Sequence, residues 1–324
     1  MKRAGDRTWF VVCLVCVTGW LSPASADTPS PAPAETKPPA NWVDDSHEYL
    51  CQSVVESAEW FDSFFGDERI EEEALGHRVR MRLGVRYEEG GELKPRLGFS
   101  AKLVLPNLDD RVQIVIDSLA QEDEPILGRD RIEQSFENAD DNIDIAAATR
   151  VRLHQDEKTP IDLDVGLKLH SGDVEPFVKL RGRTLVIRDW LAFRWTQFGF
   201  YQSGDGFGER SRFDLDVARS EKQLLRGSTE VTWSEVSRGV DLSGQISYFR
   251  YKEKEQGAAG VGVFVDGQSD PETVEDYGVF LKLRRSIYRD WLYVELEPEL
   301  HFPKIDDYDP APRVTLRFEV IYGG

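Results

Sequence analysis

Arg78, Arg80, Arg82 and Arg86 stand at alternate positions in one short run, and Arg313 and Arg317 repeat the habit near the end of the chain. Lys282, Arg284, Glu295, Glu297 and Glu299 do the same within 281–302, LKLRRSIYRDWLYVELEPELHF. Guanidinium and ammonium groups hold carboxylate and phosphate oxygens, and carboxylates hold cations. Residues two apart on a strand share one face. Charged rows of this kind either line a wet passage that selects solutes by charge, or pair with one another and fill it. The sequence leaves both open. If Arg289-Asp290 turns a hairpin, Arg284 falls opposite Glu295 and Lys282 opposite Glu297, so the charged face neutralises itself across the strands. The tetrapeptide Arg-Asp-Trp-Leu occurs at 188–191 and again at 289–292, each time between two strand-like runs, as a repeated joint.

Other chemistry is weaker. A barrel-borne lipid-modifying enzyme needs a serine beside a histidine held by a third polar group. The candidate histidines are His154, His170 and His301, with Ser171 next to His170. Neighbouring strand residues point to opposite faces, so His170 and Ser171 form no such pair, and no enzyme is expected. The carboxylates of 121–142 and 305–310 are oxygen ligands of the type calcium takes, but they lack the ordered twelve-residue spacing. They read as solvated acidic loops, and no metal or cofactor is expected. The Gly-rich stretch 203–208 has no helix after it, so it reads as a hairpin loop and not a phosphate cradle.

These residues need elements to position them, and the pattern supplies strands. Period-two alternation begins at His77 and continues to the end of the chain. It predicts strands at 77–88, 93–105, 111–119, 142–154, 160–171, 174–187, 189–203, 209–219, 223–235, 239–253, 257–267, 274–288, 290–302 and 312–322. A slip of phase around 183–187 predicts a bulge. Many runs reach the ~9–11 residues that cross a bilayer at a tilt. Charges facing lipid near the midplane would cost about 2–4 kcal/mol each, so the charged rows must face inward. The connections at 105–111, 155–159, 188–189, 220–222 and 288–290 are short, while 120–141, 204–208, 268–273 and 303–311 on the other side are the longer set, some of them tight, which is the habit of outer-membrane barrels. Trp190, Tyr288 and Trp291 gather at one end, and Tyr87, Trp233 and Tyr277 nearer the other, as interfacial girdles would. The last run alternates Val314, Leu316, Phe318, Val320 and Tyr322 with polar residues, resembling the terminal strand that barrel-insertion machinery recognises.

The rest of the chain sets an address. Lys2, Arg3 and Arg7, the apolar run 10–21 and Ala24-Ser25-Ala26 form a secretory signal over 1–26. A Pro/Ala-rich linker covers 27–41. A helical segment follows over 42–75, with a capping box at Asp45 and Glu48 and apolar Leu50, Val54, Phe61 and Phe65 at helical spacing. Residues 76–324 form the barrel. Removing the signal leaves Cys51 as the last of three cysteines, so it reads as a packed thiol with no disulfide. With 40 Lys+Arg against 59 Asp+Glu and a formal net charge of -19, nucleic acid is excluded as a partner.

The phrases EWFDSFFGD (59–67), TQFGFYQSGDGFGERSRFDLD (196–216), TWSEVSRG (232–239) and RDWLYVELEPELHFP (289–303) resemble an uncharacterised proteobacterial outer-membrane family. The resemblance implies a location and a fold, and no activity. The sequence thus predicts an all-β protein: a transmembrane antiparallel up-and-down β-barrel of about fourteen strands, with twelve to sixteen allowed, and a short N-terminal periplasmic helix. Its expected partners are outer-membrane lipid, lipopolysaccharide and insertion machinery. Its expected work is passage or binding of small polar solutes. A non-conducting structural or envelope-assembly barrel is the alternative, and a lipid-modifying enzyme is a third.

Overall fold

The computed structural model describes residues 60, 61, 64, 77–88, 91, 93–105, 111–119, 144–156, 158–170, 173–188, 190–203, 206–220, 222–237, 239–252, 256–270, 272–288 and 291–323. The signal peptide, the linker, Cys51, the acidic stretch 121–142 and most of the expected helical segment lie outside these residues.

On the first strand, β1 (Arg78–Glu88), side chains alternate between two environments. Arg80 and Arg86 are 1% and 5% exposed, whereas Leu83 and Val85 are 59% and 41% exposed. This inverts a water-soluble sheet: the charged face is buried and the apolar face is open. The same inversion runs through β2 (Leu93–Val104), β3 (Val112–Leu119), β4 (Asp144–His154) and β5 (Ile161–His170). It continues in β6 (Asp173–Arg188), β7 (Leu191–Gln202), β8 (Gly206–Ser220), β9 (Gln223–Ser234) and β10 (Val240–Lys252). The last strands are β11 (Gly257–Ser269), β12 (Glu272–Tyr288), β13 (Leu292–His301) and β14 (Ala311–Tyr322). Each strand pairs antiparallel with its neighbours in sequence, and β14 pairs back onto β1. The sheet is therefore a closed barrel, and closure leaves no unpaired edge. A closed sheet satisfies every backbone group internally, which is what hydrocarbon demands.

The two longest gaps between strands, 120–143 and 302–310, lie at the end opposite the start of β1 and the finish of β14. Residues 302–310 hold a short 3-10 turn (Lys304–Asp306), left-handed Asp307 and Tyr308, and a bond from Tyr308 Oη to the Val274 carbonyl (2.6 Å). At the terminal end the longest gap between strands is 105–111. Between β4 and β5, the Asp156 carboxylate accepts from the backbone N–H groups of Lys158 (2.8 Å) and Thr159 (3.0 Å). Those two bonds hold its pKa below the ordinary carboxylate range.

Aromatic side chains mark both rims. Trp291 lies against Tyr288 and Tyr322 at the terminal end, and Tyr277 lies against Phe302 and Tyr308 at the other.

Inside, five phenylalanines lie flat over glycines directly across the strand pair: Phe177 over Gly166, Phe200 over Gly208, Phe249 over Gly260, Phe264 over Gly278 and Phe280 over Gly262. A Cβ on Gly208 would stand 2.1 Å from the Phe200 ring. The missing side chain is the seat of the ring.

Two local expectations are corrected. The predicted bulge at 183–187 is absent: β6 holds unbroken register with β7 from Phe177 to Arg188. The apparent slip is a change of chemistry along one continuous face, where Leu185 and Ile187 replace charges opposite Arg194 and Ala192. Register shifts occur instead in β4–β5, β8–β9, β11–β12 and β12–β13. The stretch 203–208 is also not wholly a loop, because β8 begins at Gly206 and Gly208 carries the Phe200 ring.

Candidate functional site

Closure of β14 on β1 brings both ends of the strand run together, and their inward faces carry the charges. Glu319 of β14 is the hub. It accepts from Arg284 Nη2 (2.7 Å) and lies 3.3 Å from Arg82 Nε and 3.6 Å from Arg80 Nε. Arg284 reaches on to Glu295 (3.3 Å), which also receives Arg317 (2.7 Å) and lies 3.6 Å from Lys282 Nζ. Arg313 bonds Glu299 two inward rows toward the far end, beyond Glu297 and Thr315. Register explains these meetings, since Arg284 pairs with Glu295, Glu295 with Arg317, Glu299 with Arg313 and Arg82 with Glu319.

Two further clusters repeat the device around the wall. Arg150 grips Asp164 with two bonds (2.7 and 2.8 Å), while Asp162 receives Arg152 (2.9 Å) and Arg181. Arg226 grips Asp216 with two bonds (2.5 and 2.9 Å), and Ser228 donates to Asp214 (2.6 Å). Paired donors in the planar guanidinium fix direction as well as distance.

The terminal end of the interior is different. Trp60, Phe61 and Phe64, all helical, sit among inward-facing residues there. Phe61 is 1% exposed and packs with Leu224, Phe249 and Ala258. Trp60 and Phe64 lie against Tyr251, and Phe64 meets Tyr293 edge-on. The Arg284 guanidinium lies 4.4 Å from the Tyr293 ring centre and 5.9 Å from that of Phe64. One cation thus joins the ion-paired seam to the aromatic seat.

Every residue picked from the sequence faces the interior: Arg78, Arg80, Arg82 and Arg86 on β1, Lys282 and Arg284 on β12, Glu295, Glu297 and Glu299 on β13, and Arg313 and Arg317 on β14. The expected pairing of Arg284 with Glu295 holds, the register between Phe280–Glu299 and Leu283–Leu296 sets Lys282 opposite Glu297 as expected, and Lys282 Nζ also lies 3.6 Å from Glu295. Glu319 was missed, although it stands two positions beyond Arg317 on the same face. So were the carboxylates of β5 and β8, which the same alternation marks. Among the histidines, His301 Nδ1 lies 3.0 Å from Asp276 Oδ2, and Ser171 lies outside the described residues.

No family model and no curated protein matches this chain. Among solved structures, OprB of Pseudomonas putida overlays with a TM-score of 0.50 at 9% identity, covering 79% of this chain and 96% of its own. OpdK, an outer membrane protein of Pseudomonas aeruginosa, overlays at 0.45 and 8% identity over 77% of this chain and 99% of its own. The loop L8 deletion mutant of OmpT, an outer membrane protein of Vibrio cholerae, gives 0.39 and 11% identity over 77% and 100%. The likeness to OprB shows a shared fold, the closed antiparallel barrel of outer-membrane proteins. The two weaker overlays add nothing to that, and none of them speaks to a solute.

Proposed function

We propose that this protein is a barrel of the Gram-negative outer membrane that binds or passes small polar solutes through its charged interior. Lipid and lipopolysaccharide cover its outside, and the segment before β1 lies on the periplasmic side. The carrying observation is the inverted alternation: the interior keeps Lys, Arg, Asp and Glu on strand after strand, and the exterior keeps Leu, Val and aromatics. Nothing in a purely structural barrel requires charge on so many strands, since apolar side chains fill an interior at lower desolvation cost. The reading is non-catalytic.

One observation favours a second reading. Glu319 and Glu295 each serve several cations, which would make the seam a structural brace in a non-conducting barrel. Planar-bilayer recording of the refolded full chain separates the two. Discrete conductance steps are expected. A barrel that is folded and silent would support the brace.

A further inference from the structure

The charges of the interior are not evenly shared between the strands. On β12–β14, Lys282, Arg284, Arg313 and Arg317 are at least matched by the inward carboxylates Asp276, Glu295, Glu297, Glu299 and Glu319. The neighbouring hairpin β1–β2 has no such match. Its inward face carries the four arginines of β1 with Lys94, Arg96 and Lys102 of β2, and its own inward carboxylate is Glu88. Glu88 already serves Arg86 (3.3 Å) and Lys94 (2.8 Å). Arg80 and Arg82 lean on Glu319 across the seam, where Arg284 competes for the same two oxygens. Each cation can have a partner, and the two strands themselves still carry seven inward cations to one inward carboxylate.

Glycine shapes this wall at one point. Gly98 faces Arg82, whose Cβ and Cδ would lie 3.4 and 3.7 Å from an added Cβ. The Arg82 stem therefore lies along the wall instead of standing out from it. Guanidinium groups present forked donors to oxygen, the geometry that suits carboxylate and phosphate.

We infer that the inward face of the β1–β2 hairpin is a binding track for small oxyanions, so that an acidic protein carries an anion-preferring interior. The inference rests on the solute-handling reading above and names its solute class.

The test uses the refolded full chain, with heat-sensitive gel mobility as the check of folding. Reversal potentials in a KCl gradient and calorimetric titration with inorganic phosphate are measured on wild type, Arg96→Glu and the milder Arg96→Gln. Anion preference is expected in wild type, weakened in Arg96→Gln and further in Arg96→Glu, with phosphate binding reduced about tenfold by either change. A conducting barrel with cation preference and no phosphate binding would overturn the inference and leave the pore standing. A folded barrel that does not conduct would overturn the pore. Titration then decides the inference: phosphate binding lost in Arg96→Gln supports it, and no binding in wild type overturns it.

Discussion

At the scale of single residues the decisive group is Glu319. Three arginines from two other strands converge on one carboxylate whose side chain is 3% exposed. Taking the charge from a buried partner leaves the cations uncompensated, at roughly 3 kcal/mol or more. Glu88, 28% exposed and near the far rim, serves Arg86 and Lys94 where solvent screens the pairs, and such pairs contribute about 1 kcal/mol or less. Glu319→Gln is therefore expected to lower the urea midpoint of the barrel in detergent far more than Glu88→Gln. Equal shifts would remove Glu319 as the hub. The charged rows were legible because they obey period two. The hub was not, because its importance comes from three strands meeting at the seam, and register across closure is not written in any one of them.

Elements carry the next level. Strand number and order could be read from alternation and turn spacing, since a one-residue error would turn apolar rows inward. The false bulge in β6 shows the limit of that method. Leu185 and Ile187 look like outward residues by chemistry, yet they keep the inward face in unbroken register with β7, close to the terminal end. That end is where Phe61 sits. The helical spacing that includes Phe61 was visible in the sequence, but its seat was not. It depends on Leu224, Phe249 and Ala258 from three strands, with Phe249 laid down by Gly260. Removing the rings with Phe61→Ala and Phe64→Ala is expected to raise single-channel conductance, because these side chains occupy the interior at the terminal mouth. An unchanged conductance would mean that the aromatic seat anchors the chain without narrowing the path.

For the whole molecule, the deciding quantity is which solvent each face of the sheet meets. Water on the outside would face Leu83, Leu97, Val165, Ile246 and Val263, all at least half exposed, a continuous apolar surface that soluble monomers do not present. Hydrocarbon on the outside turns the same surface from a liability into the medium's match, and the rim aromatics Tyr277, Tyr288, Trp291 and Tyr322 then lie at its two boundaries. The measurement that bears most directly on this is the gel mobility, heated and unheated, of the protein in urea-washed outer membranes. A membrane-embedded closed barrel predicts that the protein stays with the washed membranes and that the unheated form runs as a separate band, shifting to its full apparent mass on boiling. Recovery of the protein in the soluble periplasmic fraction, with one band before and after heating, would contradict it.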